Sequence, residues 1–162
     1  MKILILSTSP RKGSFTFRSA SYLKSVLSSE APDAGIHLID FARFDICPLG
    51  KGSFPSEPST DFQNELLREW QSAGLIIFCS PEYNWTMSGA LKNAIDWLSR
   101  CEPQPFAGKA VAILSATTGP LGGARSQNDL RKVMVAMEAY GFNRPEVFIG
   151  NAASKFDAAG AL

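Results

Sequence analysis

Short apolar runs recur along this chain, and longer stretches with helical spacing separate them. Such runs are typical of strands that are covered on both faces. The stretches between them place apolar side chains three or four residues apart, which is typical of helices. This alternation predicts an α/β domain with a parallel sheet and helices on both of its faces. The predicted strands lie at residues 3–6, 36–39, 75–79, 110–114 and 147–149.

The first helix is predicted over residues 15–28. Ser14 precedes it and is expected to be its N-cap. The apolar side chains that we expect this helix to turn toward the sheet are Leu23, Val26 and Leu27. Helical spacing also occurs around residues 62–70, 87–98 and 130–137.

Two segments break the alternation. Residues 41–59 are crowded with proline and glycine, which predicts a long loop. Long loops in compact domains usually cover a site or mediate contacts, so we interpret this one as a lid or interface element, with a plain surface insertion as the alternative. Residues 151–162 lack periodicity and are expected to form a poorly ordered tail. The whole chain, residues 1–162, is predicted to be a single domain.

Charge and cysteine content exclude several classes of protein. The 162 residues include 16 Lys and Arg and 15 Asp and Glu, so the net charge is +1 and gives no field for holding nucleic acid or a membrane surface. Cys47, Cys79 and Cys101 lie far apart, and His37 has no neighbouring cysteine, so we expect neither disulfides nor a metal site. No apolar run is long enough for a signal peptide or a membrane span, which predicts a cytoplasmic protein.

The loop after the first strand suits a phosphate group. In an open parallel sheet, ligands bind beyond the carboxyl ends of the strands. Just ahead of a helix N-terminus, this loop carries Ser9, Arg11, Ser14 and Thr16, whose hydroxyl and guanidinium groups can bind an anion beside the backbone N–H groups. The alternative is that Ser14 is only an N-cap and that Arg11 and Lys12 are solvated charges. The P-loop and G-x-G-x-x-G motifs are absent, which argues against an ATPase and against a dinucleotide on the first turn.

The loop after the third strand, residues 80–89, combines aromatic rings with amide and hydroxyl groups. Tyr83, Trp85 and the backbone around Asn84 can bind the faces and edges of a flat heteroaromatic ligand. The alternative is a turn whose rings cap the core, and for Trp85 alone we favour that alternative. Either Ser88 or the next residue is expected to begin the following helix.

The loop after the fourth strand, residues 115–124, is rich in hydroxyls and glycines. The glycines let the backbone approach a ligand closely, and the hydroxyls can hydrogen-bond the edge of a heterocycle. A plain connector is the alternative for this loop alone. The three loops are expected at one edge of the sheet, where together they offer contacts for an anion, a ring and a ring edge.

No residues with the spacing of an acid–base or nucleophilic constellation stand out. Glu82 lies in the ring-binding turn and Asp96 in a predicted helix, so both are assigned structural roles. His37 lies within a predicted strand and is interpreted as a solvated or core histidine. The hydrolase motif G-x-S-x-G is absent, and the cysteines are expected to be inert buried thiols.

The candidate loops contain three motifs of a known family. They are Ser9-x-Arg11-x-x-Ser14, then Pro81-Glu82-Tyr83-Asn84 leading into Gly-Ala-Leu-Lys-Asn-Ala-Ile-Asp-Trp at residues 89–97, and Gly122-Gly123-Ala124-Arg125. Over nearly its whole length the chain resembles the NADPH-dependent FMN reductases, flavodoxin-like proteins that include azoreductases, quinone reductases and chromate reductases. The resemblance implies a three-layer α/β/α sandwich with a five-stranded parallel sheet in the order 2-1-3-4-5.

The resemblance also implies a set of residues that bind FMN. Those expected at the phosphate are Ser9, Arg11, Ser14 and Thr16, where many members have Asn in place of Thr16, and the neighbouring Phe15 is also expected to bind FMN. Those expected at the isoalloxazine and ribityl region are Pro81, Glu82, Tyr83 and Asn84. Those expected at the polar edge of the ring are Ser115, Thr117, Thr118 and Gly119. Many members also continue through a further helix after residues 156–157, and many form dimers or tetramers.

The function that the resemblance implies is the transfer of hydride from NADPH or NADH to bound FMN, and from there to a small acceptor. Quinones, azo compounds, metal oxyanions and free flavin are the candidate acceptors, and the sequence does not select one of them. The flavin supplies this chemistry, so no catalytic side chain is assigned. A flavodoxin-like electron carrier without NAD(P)H activity is the main alternative, although a net charge of +1 favours the reductase. A phosphate-binding module without flavin is a third.

Overall fold

The computed structural model describes residues 1–44, 61–157, 160 and 162, and these residues contain one parallel sheet. Its strands run in the order β2-β1-β3-β4-β5, and β6 also pairs with β4. The predicted order 2-1-3-4-5 is confirmed, and the predicted fifth strand at residues 147–149 is present as β6, with an additional two-residue strand, β5, before it in the chain. The strands are β1 (Lys2–Ser7), β2 (Gly35–Asp40), β3 (Leu75–Ser80), β4 (Ala110–Ala116), β5 (Tyr140–Gly141) and β6 (Val147–Ile149).

The register of the sheet brings the three candidate loops to one edge. Ser7 at the end of β1 pairs with Cys79, and Ser80 at the end of β3 pairs with Ser115 near the end of β4. The chain therefore leaves these three strands at nearly the same level. This alignment follows from in-register parallel pairing of strands that are six or seven residues long.

Four helices cover the two faces of the sheet. Leu4 and Leu6 of β1 pack into the larger buried cluster, whereas Ile3 and Ile5 pack into a smaller one, as expected for alternating side chains. The larger cluster includes residues of three helices, and the smaller includes residues of the first helix. The helices are α1 (Phe15–Glu30), α2 (Asp61–Ser72), α3 (Gly89–Leu98) and α4 (Ala124–Ala136).

Helix α1 begins where it is predicted to begin. The Ser14 side chain accepts a hydrogen bond from the Phe17 backbone N–H at 3.1 Å, so Ser14 is the N-cap. The helix continues to Glu30, two residues beyond the predicted end. Leu27 packs against the smaller cluster as expected, but the inward placement of Val26 is wrong because 37% of that residue is exposed. Neighbouring residues point roughly 100° apart around a helix, so the sheet covers Leu27 and not Val26.

The segment predicted as a long loop, residues 41–59, is described only as far as Phe44. Its first residues, Phe41–Arg43, form a short 3₁₀ helix. Phe41 is fully buried, with its ring 5.2 Å from that of Phe62 in an edge-on contact. The rest of the loop, with Cys47, lies outside the described residues, and its interpretation as a lid or interface element stays a prediction.

Residues 151–157 pack against the domain, so the expectation of a poorly ordered tail is wrong for them. Ala152–Ser154 form a 3₁₀ helix, and Ala152 is fully buried. The ring of Phe156 stacks on Phe15 at the start of α1, with 5.9 Å between centroids. This contact joins positions that are far apart in the chain, so it cannot be predicted from the local periodicity of the sequence.

His37 and the two described cysteines agree with the roles predicted for them. The side chain of His37 on β2 is 40% exposed and lies 3.5 Å from Glu65 on α2, which fits the prediction of a solvated or core histidine. Cys79 and Cys101 are buried, and burial raises the pKa of the Cys79 thiol to about 12, which makes it inert. Among the helices of the described ranges, none combines the length and apolarity that a bilayer crossing requires.

Candidate active site

The three loops converge on a pocket of about 120 Å³ at the carboxyl edge of the sheet. Ten of the thirteen predicted site residues line it. Ala116 also lines it and was missed, because a small apolar residue at the end of a strand carries no functional group by which to recognise it. The lining residues are Ser9, Arg11, Ser14, Phe15, Thr16, Pro81, Glu82, Tyr83, Ala116, Thr117 and Thr118.

One end of the pocket is built by the loop before α1. Gly13 has φ +66°, which lets the chain turn sharply into the helix. The Ser9 hydroxyl accepts a hydrogen bond from the Arg11 backbone N–H at 3.3 Å. The Ser14 hydroxyl accepts from Phe17 and keeps its own proton for donation to a ligand. Together with the dipole of α1 and the Arg11 guanidinium, these donors form a site suited to an anion.

The β3 loop forms a tight hairpin turn beside this end. Tyr83 and Thr86 exchange two backbone hydrogen bonds, of 2.9 and 3.1 Å. The residues between them, Asn84 and Trp85, have φ values of +50° and +72°, as a two-residue turn of this kind requires. A bulky residue rarely adopts such a φ. Trp85 is 69% exposed, so the interpretation that its ring caps the core is wrong.

Hydrogen bonds connect the β1 and β3 loops. The hydroxyls of Ser9 and Tyr83 are 3.1 Å apart. The Ser88 hydroxyl donates to the Thr8 carbonyl oxygen at 2.7 Å and accepts from the Leu91 backbone N–H at 3.1 Å. Ser88 is therefore the N-cap of α3, one of the two starts that the sequence predicts. The same side chain fixes the position of α3 against the β1 loop.

Three predicted site residues do not line the pocket. The Ser115 hydroxyl is fully buried and donates to the Gly122 carbonyl oxygen at 2.6 Å, so it holds the β4 loop from beneath. The Gly119 carbonyl oxygen accepts from the Thr117 hydroxyl at 3.1 Å, which shapes the same loop. Asn84 faces a neighbouring pocket. The pattern of hydroxyls and glycines therefore identifies the loop. It does not show which residues of the loop line the pocket and which hold the loop in place.

Glu82 contacts the start of α4. Its Oε2 atom accepts from the backbone N–H groups of Arg125 at 3.1 Å and Ser126 at 3.4 Å, and Oε1 lies 3.5 Å from Arg125 Nη1. The Arg125 guanidinium carbon lies 3.7 Å from the centroid of the Trp85 ring. Asp96 forms an ion pair with Lys92 at 2.6 Å on the surface of α3. Both carboxylates thus have the structural contacts expected of them.

A wider pocket of about 620 Å³ adjoins the first, between α3 and α4. Tyr83 lines both pockets and forms the wall that they share. Met87 and Val133 contribute apolar surface to the lining of the wider pocket, and Lys92 and Lys132 contribute positive charges. Its lining residues are Tyr83, Asn84, Thr86, Met87, Gly89, Lys92, Asp129, Lys132 and Val133.

The strand order and the position of the pockets define the class of protein, a flavodoxin-like α/β protein with its candidate site at the carboxyl edge of the sheet. Residues 1–154 match the family model of the NADPH-dependent FMN reductases, and the chain belongs to that family. It is therefore an oxidoreductase that uses FMN, with NADPH or NADH as the electron donor.

Individual relatives agree with this family. An NAD(P)H-dependent FMN reductase of Pseudomonas aeruginosa is 39% identical over 167 residues, which cover 100% of this chain and 84% of that protein. A quinone reductase of Escherichia coli is 35% identical over 158 residues, covering 97% of this chain and 81% of that protein. The solved structure of a flavoenzyme NAD(P)H:(acceptor) oxidoreductase from Paracoccus denitrificans has the same fold, with a TM-score of 0.82 at 22% identity, over 99% of this chain and 85% of that one.

The chemistry of the pocket lining fits FMN. Hydroxyls, a guanidinium and a helix N-terminus at one end match the needs of a phosphate group. At the other end, Pro81 and the ring of Tyr83 offer apolar contact area, and Thr117 and Thr118 offer polar groups. The lining therefore has the anion, ring and edge contacts that one FMN molecule needs.

Proposed function

We propose that this protein transfers electrons from NAD(P)H, through bound FMN, to a quinone or a similar small acceptor. The observation that carries the proposal is the convergence of the three candidate loops on one pocket, lined by ten of the thirteen residues assigned to FMN. Two relatives support it, because one is named an NAD(P)H-dependent FMN reductase and the other a quinone reductase. Azo compounds, metal oxyanions and free flavin are the other acceptors to be tested.

In this proposal each loop has its own task in binding FMN. Arg11, with the hydroxyls of Ser9, Ser14 and Thr16 and the N-terminus of α1, binds the phosphate. The backbone and side chains of residues 81–84 orient the isoalloxazine and the ribityl chain. Thr117 and Thr118, supported by the buried hydroxyl of Ser115, hydrogen-bond the polar edge of the ring. Bound FMN supplies the hydride and electron chemistry, and the protein supplies binding, orientation and exclusion of water.

We further propose that the electron donor and the acceptor occupy the wider pocket in turn. This pocket shares the Tyr83 wall with the smaller one, so a molecule within it lies next to the ring end of the FMN site. Met87 and Val133 supply apolar contact for a flat ring. Lys92 and Lys132 attract the phosphates of a nicotinamide dinucleotide, although each also has a nearby carboxylate partner.

The setting of this activity is part of the proposal. We propose a single-domain enzyme that acts in the cytoplasm, assembles as a homodimer or homotetramer, and takes neither nucleic acid nor a membrane as a partner. The even charge balance supports the last point, and the family resemblance supports the assembly. Light scattering on a size-exclusion column measures the number of subunits, and a monomer at micromolar concentration would contradict the assembly.

The decisive experiment is a visible spectrum. The purified protein is incubated with FMN, desalted, and treated with NADPH or NADH without oxygen, after which quinone, azo dye, chromate or free FMN is added to separate samples. We expect retained yellow colour, bleaching by the nicotinamide without a partner protein, and the fastest return of colour with the quinone. Retained colour that does not bleach identifies an electron carrier instead. Absence of retained colour contradicts the flavin site.

A further inference from the structure

We propose that Glu82 is a positioning residue of the flavin pocket, because it caps helix α4 from the β3 loop and so holds that loop in the shape that receives FMN. The inference rests on the proposed function, since its role is defined toward the FMN pocket. It goes beyond that function by assigning the pocket's shape to a contact between two elements, rather than to a direct contact with the ligand.

Helix α4 has no local side-chain cap. The residue before it is Gly123, with φ +91° and no side chain to accept a hydrogen bond. A Cβ atom at Gly123 would lie 2.6 Å from the Cβ of Ser115, so the usual capping residues do not fit there. The Ala124 N–H donates to the Leu121 carbonyl oxygen at 3.2 Å, and the next two N–H groups of α4, those of Arg125 and Ser126, donate to the Oε2 atom of Glu82. A carboxylate at this end also interacts favourably with the helix dipole.

The same contact supports the strained turn that follows Glu82. Arg125 lies 3.5 Å from the Glu82 carboxylate and stacks its guanidinium 3.7 Å from the centre of the Trp85 ring. Both central residues of the turn have positive φ values, which Asn84 tolerates but which a bulky residue such as Trp85 rarely adopts unless its surroundings hold it there. Arg125 therefore connects the start of α4 both to Glu82, just before the turn, and to Trp85 within it.

The turn also positions Tyr83, which lies between Glu82 and the two residues with positive φ. Its ring lines both pockets, and its hydroxyl is 3.1 Å from Ser9 in the phosphate loop. If Glu82 releases α4, the backbone of residues 81–86 loses its anchor on one side. Both the ring wall and the link to the phosphate loop then lose their fixed positions.

A purely electrostatic role of Glu82 predicts the opposite effect on FMN affinity from a positioning role. A measurement of FMN affinity therefore distinguishes the two roles. Glu82 lines a pocket built for an anion, so its negative charge by itself disfavours phosphate binding. If charge were its only effect, Glu82→Gln would tighten FMN binding. If Glu82 is a positioning residue, Glu82→Gln weakens binding, because an amide places an NH₂ group against the Arg125 donors and cannot serve all of the donors that the carboxylate serves.

The experiment measures the FMN dissociation constant by fluorescence titration for the wild type, Glu82→Gln and the control Glu65→Gln. The control removes a carboxylate that contacts His37 on β2 and does not line the pocket. We expect Glu82→Gln to weaken FMN binding about tenfold or more, as loss of a hydrogen bond to a charged group does. The control is expected to change it less than about twofold. Unchanged or tighter binding by a folded Glu82→Gln protein overturns the proposal.

Hydrogen exchange of the FMN-free proteins tests the same role without a flavin. We expect the backbone N–H groups of Thr86, Arg125 and Ser126 to exchange faster in Glu82→Gln than in the wild type or in Glu65→Gln. Equal exchange overturns the positioning role. If the wild type does not bind FMN at all, the proposed function fails, and exchange still decides whether Glu82 holds the loop.

A second variant covers the case in which Glu82→Gln loses its cooperative thermal transition. Glu82→Asp keeps the negative charge but shortens the side chain by one methylene, so its carboxylate no longer reaches the Arg125 and Ser126 N–H groups from the same backbone position. We expect this variant to weaken FMN binding by about threefold, as weakening of a hydrogen bond to a charged group predicts. No change in its FMN affinity and no change in exchange at Thr86 would overturn the proposal.

Discussion

Ser9 and Tyr83 are 74 positions apart in the chain, and their hydroxyl oxygens lie 3.1 Å apart at the carboxyl edge of the sheet. One residue belongs to the loop after β1 and the other to the loop after β3. Their hydrogen bond joins the anion end of the pocket to its ring end. The distance between the two ends is thereby set by the protein before any ligand binds, which lowers the ordering that binding requires.

Removing the Tyr83 hydroxyl tests this link. We expect Tyr83→Phe, which keeps the ring and loses the hydrogen bond, to weaken FMN binding by about 2- to 12-fold. Tyr83→Ala also removes the ring and is expected to change the visible spectrum of bound FMN more than it changes the melting temperature of the FMN-free protein. Fluorescence titration and absorption spectra measure these effects. An identical spectrum for Tyr83→Ala would place the ring outside the FMN site.

Arg11 is expected to be the main charged contact of the FMN phosphate. Arg11→Ala should cost about 1.5–3 kcal/mol of FMN binding free energy, because it removes a charge-assisted hydrogen bond. Lys12→Ala is the matched control, since Lys12 is an exposed neighbouring cation that does not line the pocket. Titrations of both variants at the same salt concentration make the comparison. Equal affinities for Arg11→Ala and the wild type would contradict the phosphate assignment.

The extent to which the fold could be predicted depends on how each strand is buried. The inner strands β1, β3 and β4 are apolar runs at least four residues long, because side chains on both of their faces are covered. Strand β5 has only two residues, Tyr140–Gly141, and both are exposed. Two residues carry no measurable period, so this strand could not be predicted from the sequence.

The site was predictable to a similar extent. The three loops could be found because parallel strands end at one edge, and Arg11 and Tyr83 have side chains suited to the expected ligand. Ala116 could not be found, because its contribution depends on position alone. The hydrogen bonds from Glu82 to Arg125 and Ser126 were also beyond prediction, because they depend on how α4 packs beside the β3 loop.

Gly123 and Gly119 belong to the same loop and should respond differently to alanine. At Gly123 an added Cβ would lie 2.6 Å from Ser115 Cβ, and φ is +91°. The backbone strain alone costs about 1–3 kcal/mol of unfolding free energy. At Gly119 nothing lies within 4 Å of an added Cβ, so Gly119→Ala should change stability by less than about 0.5 kcal/mol. Urea unfolding of both variants tests this, and equal stabilities would contradict the close approach at Gly123.

Narrowing the wider pocket should separate substrate binding from FMN binding. Gly89 lines this pocket, and an added Cβ meets nothing within 4 Å, so Gly89→Leu places a larger side chain there without a clash at Cβ. We expect the KM for NAD(P)H and for the quinone to rise about fivefold, equivalent to a crowding cost of about 1 kcal/mol. The FMN dissociation constant is expected to stay unchanged.

The control for this prediction is Gly35→Leu. Gly35 is also open to an added side chain, and it lies at the start of β2, opposite the carboxyl edge. Steady-state kinetics on FMN-loaded proteins compares the two variants. Unaltered KM values for both substrates in Gly89→Leu would show that they reach the flavin by another route.

Glu69 on α2 should make the stability of the protein depend on pH below neutrality. Its carboxylate is nearly buried and lies 2.7 Å from the Lys2 ammonium. Burial by itself raises the pKa of Glu69, but the hydrogen bond from Lys2 and the charges of His37 and Lys2, with a further hydrogen bond from Arg68, outweigh it and hold the pKa below its ordinary value of 4.5. The folded state therefore favours the ionised carboxylate more than the unfolded state does.

The lowered pKa of Glu69 determines the pH range in which its contribution to stability is lost. The stabilisation from Glu69 is fully present above its unfolded pKa of 4.5, and it is lost as the pH falls through the lower folded value. Urea unfolding between pH 7 and pH 3 should show a steeper loss of stability for the wild type than for Glu69→Gln. Glu65→Gln, which removes a more exposed carboxylate on the same helix, should retain the wild-type slope. Parallel slopes for the wild type and Glu69→Gln would show that the Lys2 contact does not favour the ionised carboxylate in solution.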